Sequence, residues 1–270
     1  MATPGLLSIK DFSNLTRIKQ STLRYYDNIG LFKPSKRGAN GYRYYSLEQI
    51  TTINLIIVLN NLGMTIDEIN GYMTERTPEL MSKVFLEKET ELYDQIRVLT
   101  ERFNIVGTYR RLINLGLFSE ENKMTVEYRE ERKFSLGKRN RFTDDTYFSA
   151  FFDFIETAKI RNVDLNYPIG GYFDDIDDFV DHASRPDYFY SVDPNGVDLR
   201  PAGMHIVCFI RGDYGEVGDV ATRLVQFAKE NHLVFTGPIY NTYVEDEISI
   251  VDPNHYLLEI LAPVRKEKEV

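Results

Sequence analysis

A single cysteine, Cys208, stands in the 270 residues, and that scarcity excludes an internal disulfide framework and any metal site built from several thiolates. Its neighbours in "HIVCFI" are apolar, which favours a small buried hydrophobe over a reactive thiol. Long apolar runs are also missing. Without 18 consecutive apolar residues anywhere, a membrane-spanning helix is excluded. The opening "MATPGLLSIKDF" lacks the charged stretch, the apolar stretch and the cleavage site of a secretory leader, so a soluble cytoplasmic protein with no membrane partner is expected. The four histidines, His182, His205, His232 and His255, show no ligand spacing and read as ordinary surface or core residues, so neither a metal nor a cofactor is expected. No nucleophile and base pair up, and no phosphate-binding loop occurs. An enzyme using Glu259 as general base is therefore the weaker rival reading.

What is present is a sharp division of charge. The chain carries a net charge of −9, yet residues 1–45 hold eight Lys and Arg against only Asp11 and Asp27. One polyanion-binding face on an otherwise acidic body is the natural inference, although charge alone fits a solvated basic surface equally well. With 43% hydrophobic residues and this length, about two domains are expected.

The first 75 residues read as short helices with one hairpin. "SIKDFSNLT" opens on Ser8, a good N-cap, and sets Ile9, Phe12 and Leu15 at helical spacing. A break over residues 16–19 leads to a second helix from Gln20 to about Ile29, stopped by Gly30. The pair is a helix-turn-helix candidate. In "LFKPSKRGANGYRYY", Asn40-Gly41 between apolar and aromatic flanks predicts a hairpin wing. The next helix places Leu47, Ile50, Ile53, Ile57 and Leu62 on one stripe and ends at Gly63. Thr65 and Glu68 then form a capping box for a further helix.

From Pro78 to Leu117 no further proline occurs, and only Gly107 and Gly116 interrupt a helix of roughly 40 residues. Leu92, Ile96, Leu99, Phe103 and Val106 step by four, three, four and three, the spacing of a coiled-coil seam. Such a seam needs a partner, and an antiparallel pairing of two copies is the economical one. Beyond Glu120 the pattern turns to strands and two helices. "KFSLGKR", "DDTYFSAFFDFIETAK" and "YPIGGYFDD" recur about 70 residues later as "HIVCFIRGDY", "EVGDVATRLVQFAKEN" and "GPIYNTYVED". Pro168 and Pro238, Ile169 and Ile239, and Phe173 and Tyr243 align. Two copies of a strand-helix-strand-strand unit predict one pseudo-symmetric α+β domain with a cleft along the shared sheet.

A short helix presented by a turn fits the major groove of double-stranded DNA. On this helix and its approach, Arg17, Lys19, Gln20, Ser21, Arg24 and Tyr25 are the candidate contacts, whereas Leu23 and Tyr26 face inward by spacing. The wing adds Lys33, Lys36, Arg37, Tyr42 and Arg43 as a second cationic line for phosphates. The three blocks "TLRYYDNIGLFKP", "NGYRYYSLEQI" and "LGMTIDEI" resemble the MerR family of bacterial transcription regulators, over residues 8–75. The resemblance implies a winged helix-turn-helix, a dimerisation helix and a variable sensor. It also implies homodimers on palindromic promoters that bend and untwist the DNA so that RNA polymerase can engage. Lys19 departs from the family by standing where a better helix cap is usual.

Strand alternation in "YLLEILAPV" sends Leu257, Glu259 and Leu261 to one face and Tyr256, Leu258, Ile260 and Ala262 to the other. Glu259 interrupts an apolar face, so it must be protonated, paired or hydrogen-bonded. A site awaiting a cation is one solution; satisfaction by a tyrosine hydroxyl or an arginine is another. Aromatic residues are abundant in this half and attract cations through their faces. The layout resembles the GyrI-like effector-binding domain of multidrug-sensing members. That resemblance implies a pocket for small lipophilic cations formed by Glu259 with Tyr147, Phe148, Tyr167, Tyr172, Tyr188 and Leu261, Phe148 replacing a usual tyrosine. The expected plan is α+β: a winged helix-turn-helix over residues 1–76, a dimerisation helix over 77–118 and a GyrI-like domain over 119–270. A neutral metabolite or a peptide is the alternative effector.

Overall fold

Ser8 ends one element and begins another. It closes strand β1 (Leu6–Ser8) and caps helix α1 (Ile9–Thr16), where the Asp11 amide donates to Ser8 Oγ at 3.2 Å. Arg17, at φ 59°, turns the chain into α2 (Gln20–Asn28), and Gly30, at φ 81°, carries it away. Lys19 caps α2 with no side-chain hydrogen bond, as its residue type foretold. β2 (Lys36–Arg37) and β3 (Arg43–Ser46) form the wing, and β1 joins β3 on its other side. That third strand was not legible as a strand, because three residues ending in a helix cap carry no period. The hairpin is also wider than an Asn-Gly turn: the Gly38 amide donates to Tyr42 O at 2.8 Å, leaving Gly41, at φ 76°, inside a longer loop.

α3 (Gln49–Asn61) and α4 (Ile66–Glu75) follow. The Thr65 box is complete: the Glu68 amide donates to Thr65 Oγ1 at 3.3 Å and the Thr65 amide donates to Glu68 Oε2 at 2.7 Å. The buried stripe of α3 is Ile53, Ile56 and Leu59, whereas Leu47 is exposed. Of the expected stripe, Ile53 is buried and Ile50 and Ile57 pack against the same core, while Ile56 and Leu59 lay outside it, since α3 is apolar nearly all round and periodicity could not select one face. Phe12, Phe32 and Tyr45 stack at the centre, with ring centroids 4.7 Å apart for Phe12 and Tyr45.

The structure is a computed structural model describing residues 5–140, 147–160 and 163–267. Its chain divides into two units, Met1–Arg97 and Val98–Val270. Helix α5 (Pro78–Leu117) runs through the division, so the unbroken 40-residue helix read from the absence of proline is present.

In the second unit come β4 (Met124–Arg129), β5 (Arg132–Arg139), α6 (Tyr147–Ala158), β6 (Ile169–Phe173), α7 (Ile176–His182), β7 (Tyr188–Ser191) and β8 (Asp198–Arg200). There follow β9 (Gly203–Arg211), α8 (Val220–Glu230), β10 (Leu233–Phe235), β11 (Ile239–Glu245) and β12 (Leu257–Lys266). The part of the first repeat helix expected from Asp144 lies outside the described residues. The sheet is antiparallel in the order β4-β9-β12-β11-β6-β7-β5-β8, with β10 paired to β12. Its centre is the pair β6 and β11, in which Phe173 opposes Ile239, Tyr172 opposes Tyr240 and Gly170 opposes Thr242. β6 and β11 carry the aligned segments of the internal repeat, and Gly171 opposes Asn241, its counterpart 70 residues on, so a pseudo-two-fold passes between them.

Only Glu130 and Glu131 separate β4 from β5, although these strands lie near opposite ends of the sheet order. The sheet must therefore curl until its edges meet. Its outer face packs Phe173, Cys208, Leu258 and Ile260 against α8; its inner face gathers Phe134, Tyr190, Phe209, Tyr240 and Leu261 with Leu112 from the end of α5. Cys208 is fully buried, as its apolar neighbours indicated, and burial raises its thiol pKa.

Truncating the stacked centre tests the packing of the first unit. Phe12→Ala is expected to lower its stability by about 3 to 5 kcal/mol in denaturant unfolding, the range for removing a buried ring.

Candidate nucleic-acid interface and ligand cavity

α2 presents two kinds of residue. Leu23 and Tyr26 are buried, while Lys19, Ser21, Arg24 and Tyr25 are exposed and Gln20 is half-exposed, which is the split that helical spacing predicts. Arg17 is exposed in the turn before it, and Lys33, Lys36 and Tyr42 are exposed along the wing. Arg37 and Arg43 behave differently. Both donate to one buried carboxylate, Asp27 Oδ2, at 2.6 Å and 2.5 Å. Asp27 has a side-chain exposure of 2%, and two guanidinium groups meet it there, answering a carboxylate taken out of water. The pair of bridges fastens the wing to the carboxyl end of α2. Arg37 and Arg43 thus fix the angle between the two cationic lines, with Arg37 still half-exposed.

Gln49 completes the fastening. Its Oε1 accepts from the Ser35 and Ser46 amides, both at 3.1 Å, and its Nε2 donates to Lys33 O at 2.8 Å. The sequence reading passed over Asp27 and Gln49. Asp27 had a signal, being one of only two acids among eight cations; Gln49 had none. The charges left exposed here can move toward phosphates, and a rigid wing holds them at fixed spacing.

The second site lies on the inner face of the curled sheet. Strand registers lay out two rows across it: Phe209, Glu259, Thr242, Gly170 and Tyr190, then Val207, Leu261, Tyr240, Tyr172 and Tyr188. Gly170 is needed here. A Cβ on it would stand 2.4 Å from Tyr190 Cζ, and its absence lets the Tyr190 hydroxyl reach Thr242 Oγ1 at 2.6 Å. The first row ends at a cleft of about 900 Å³, within the range of small-molecule sites. Its apolar wall includes Leu112, Leu115, Val192, Phe209 and Leu261, and its floor is Glu259.

Glu259 faces inward with Leu257 and Leu261, as alternation required. It is not an unpaired carboxylate. Arg129 Nη2 donates to Glu259 Oε1 at 3.1 Å, and Arg132 and Arg200 line the same floor. Satisfaction by arginine, the alternative held open by the sequence, is the arrangement present. Burial raises the Glu259 pKa, and the charges of Arg129, Arg132 and Arg200 oppose that rise.

The aromatic set does not assemble as expected. Among the seven predicted ligand contacts, Glu259 and Leu261 line the cleft. Tyr172 and Tyr188 share the inner face but stand beyond Tyr240, the rings meeting edge to face at 5.4 Å and 5.5 Å. Tyr147 packs on Phe189, which alternates with Tyr188 and Tyr190 and so faces outward; Phe148 neighbours Tyr147 and is exposed. Tyr167 is buried in the core, its hydroxyl pKa pushed up to about 12 mainly by burial. In their place the cleft takes Arg111, Arg129, Arg132, Arg200, Val192 and Phe209. Those arginines come from a helix and three strands, with Arg132 on β5 directly opposite Arg200 on β8 and Arg129 ending the strand before β5.

The histidines also need one amendment. Asp178, His182 and Asp187 place one ligand atom each within 4.8 Å of one another, a grouping that spacing did not reveal, and Arg139 already donates to Asp187 at 3.2 Å.

A winged helix-turn-helix followed by one long helix and a curled α+β unit defines the class: a DNA-binding regulator with a second, cleft-bearing domain. Residues 7–76 match the family model described as MerR HTH family regulatory protein, so this segment is a MerR-type DNA-binding domain. Across 266 residues, 95% of each chain, it is 29% identical to the multidrug-efflux transporter 2 regulator of Bacillus subtilis. It is 41% identical over 66 residues, 24% of each chain, to the transcriptional regulator BrlR of Pseudomonas aeruginosa. A cryo-EM structure described as an EcmrR-DNA complex in EcmrR-RPo shares 20% identity, with a TM-score of 0.38 over 97% of this chain and 100% of that one.

Loosening the wing tests its fastening. Asp27→Ala is expected to lower stability by about 2 kcal/mol, since it strands two partly desolvated cations, and to speed amide exchange over residues 36–46 in hydrogen-exchange measurements.

Proposed function

We propose that this protein is a ligand-responsive transcription activator that binds palindromic promoter DNA as a homodimer. The observation that carries the reading is the exposed cationic surface of α2 and the wing, held in one geometry by Asp27, inside a MerR-type domain. In this reading Lys19, Gln20, Ser21, Arg24 and Tyr25 enter the major groove, while Arg17, Lys33, Lys36 and Tyr42 hold phosphates. Arg37 and Arg43 keep the wing in register with α2. Two half-sites gripped in this way hold a bent and untwisted duplex, and RNA polymerase engages the promoter in that state.

The dimer is supported by α5. Leu92, Ile96, Leu99, Phe103 and Val106 are exposed, from 41% at Leu92 to 78% at Phe103. A seam of that composition loses its contact with water when a second copy covers it. The division of labour proposed is residues 1–76 for DNA, 77–118 for dimerisation and 119–270 for sensing, the last as a GyrI-like domain. The internal pseudo-two-fold and the inner-face cleft support the sensing role, and the Bacillus subtilis relative, a regulator of a multidrug-efflux transporter, supports a drug-like effector. That relative and BrlR are named as regulators, which supports binding rather than catalysis at the cleft.

Two measurements test the proposal. With a duplex selected from random sequence by the wild-type protein, Arg24→Ala is expected to weaken binding about tenfold or more in fluorescence anisotropy. Wild-type protein indifferent to every duplex at low ionic strength would refute the DNA-binding role. Phe103→Glu is expected to shift the protein from dimer to monomer in sedimentation, and a wild-type monomer at micromolar concentration would remove the dimer.

A further inference from the structure

On the floor of the cleft one buried carboxylate, Glu259, faces three arginines, while Glu120, Glu127, Glu130 and Glu131 stand toward its rim beside Lys123 and Lys133. Arg129, Arg132 and Arg200 converge on Glu259, and Arg111 stands on the adjoining wall. Glu127 adds a second carboxylate, 3.2 Å from Arg129 Nη2, but it is 43% exposed at its side chain. Donor groups remain over. Arg200 is 8% exposed and its Nη2 donates to Glu130 O at 3.0 Å, yet its Nε has no acceptor among the described residues. Arg129 Nε and Arg132 Nη2 are likewise buried without an acceptor among the described residues. Guanidinium groups only donate, so these three positions call for an acceptor that a molecule entering the cleft can supply. A buried cation left without a counter-charge is costly, and the strain is visible at Arg132, whose pKa falls to about 10 through burial and then the charge of Arg111.

We propose that the cleft binds an amphipathic anion, whose carboxylate or other acidic head lies among Arg129, Arg132 and Arg200 and whose apolar body lies along Leu112, Leu115 and Phe209. This rests on the sensing role given above to the second unit. Bidentate guanidinium contacts suit a planar carboxylate, and the low dielectric of the floor strengthens them. Glu259 then acts as the fixed counter-charge that keeps the arginines aligned before the ligand arrives, in place of a partner for a cation. A lipophilic cation would meet three guanidinium groups at close range on the floor, where Glu259 is already engaged by Arg129.

Three probes with one chain length decide between these charges: decanoate, decanol and decyltrimethylammonium, each below its micellar concentration and titrated calorimetrically into the full-length protein. Decanoate is expected to bind about tenfold or more tightly than either of the others, the size of one charge-assisted hydrogen bond. Arg132→Met is expected to remove that preference while leaving decanol unchanged, and Arg132→Lys to restore part of it. Glu259→Gln is expected to tighten decanoate. Equal or tighter binding of the cation, or decanoate affinity unmoved by Arg132→Met, overturns the proposal. The wild-type ranking stands by itself should a variant fail to fold. Duplex binding by the ligand-free protein is measured separately: its presence with no decanoate preference sinks the anion alone, and its absence sinks the regulator.

Discussion

Glu259 lies in the middle of an otherwise apolar strand face, with a side-chain exposure of 3%, and it is tolerable there because Arg129 reaches it from β4, two strands away in the sheet. A buried ion pair of this kind contributes little net stability, since desolvation offsets most of the attraction, but breaking it leaves an unanswered charge. Its structural effect is therefore on geometry. The contact joins the β4 edge to the middle of the sheet just where the chain passes through Glu130 and Glu131 into β5. The curl of the sheet, the position of the cleft and the convergence of Arg132 and Arg200 all follow from that closure. The pseudo-two-fold at Gly171 and Asn241 supplies the symmetric half of the architecture, whereas this ion pair is asymmetric. Tyr188, not a carboxylate, stands at the corresponding position of the first repeat.

The first unit uses the same device at smaller scale. Asp27 is a buried carboxylate answered by Arg37 and Arg43, and its effect is again to fix an angle, that of the wing against α2. In both units a buried carboxylate organises arginines, of which the linear reading assigned only Arg37 and Arg43 to ligand contact. The consequence differs with exposure. Arg37 remains half in solvent and can still approach a phosphate, while Arg200 is enclosed and can meet only what enters the cleft.

How much the sequence revealed follows the range of the interactions. Ser8, the Thr65 and Glu68 box, Gly30 and the unbroken α5 are local devices, set by residues within four positions of one another, and each was legible. The inward orientation of Glu259 was legible too, because strand alternation is local. Its partner was not, since Arg129 is 130 residues distant. The aromatic expectation failed for a related reason. α6 carries Tyr147, Phe148, Phe151, Phe152 and Phe154, with aromatic rings around much of its circumference, and its composition could not say which face of the sheet it would cover. The repeat announced one shared α+β sheet because two copies of one unit dock by symmetry, a long-range fact written twice in the chain; that β6 and β11 meet at its centre came from the structure.

Signalling between sites requires that the effector bind one state of the protein better than another, and the residues that could sense the difference are few. Arg111 and Leu112 of α5 line the cleft, and Gly116 lets the helix end approach β11 so closely that a Cβ would stand 2.8 Å from Glu245 Oε1. Glu245 is itself held by Arg211 Nη1 at 3.1 Å. The end of α5 is thus packed tightly enough that filling the cleft against Leu112 must either fit the existing helix position or shift it. In the proposed dimer that helix also carries the apolar seam, so a shift at its carboxyl end changes the register of seam contacts. An anionic head drawn to Arg132 would relieve its repulsion with Arg111, and the relief is available only while α5 holds Arg111 beside the cleft. The electrostatics of the floor therefore give the effector a reason to favour one position of the helix, which is the differential affinity that coupling demands.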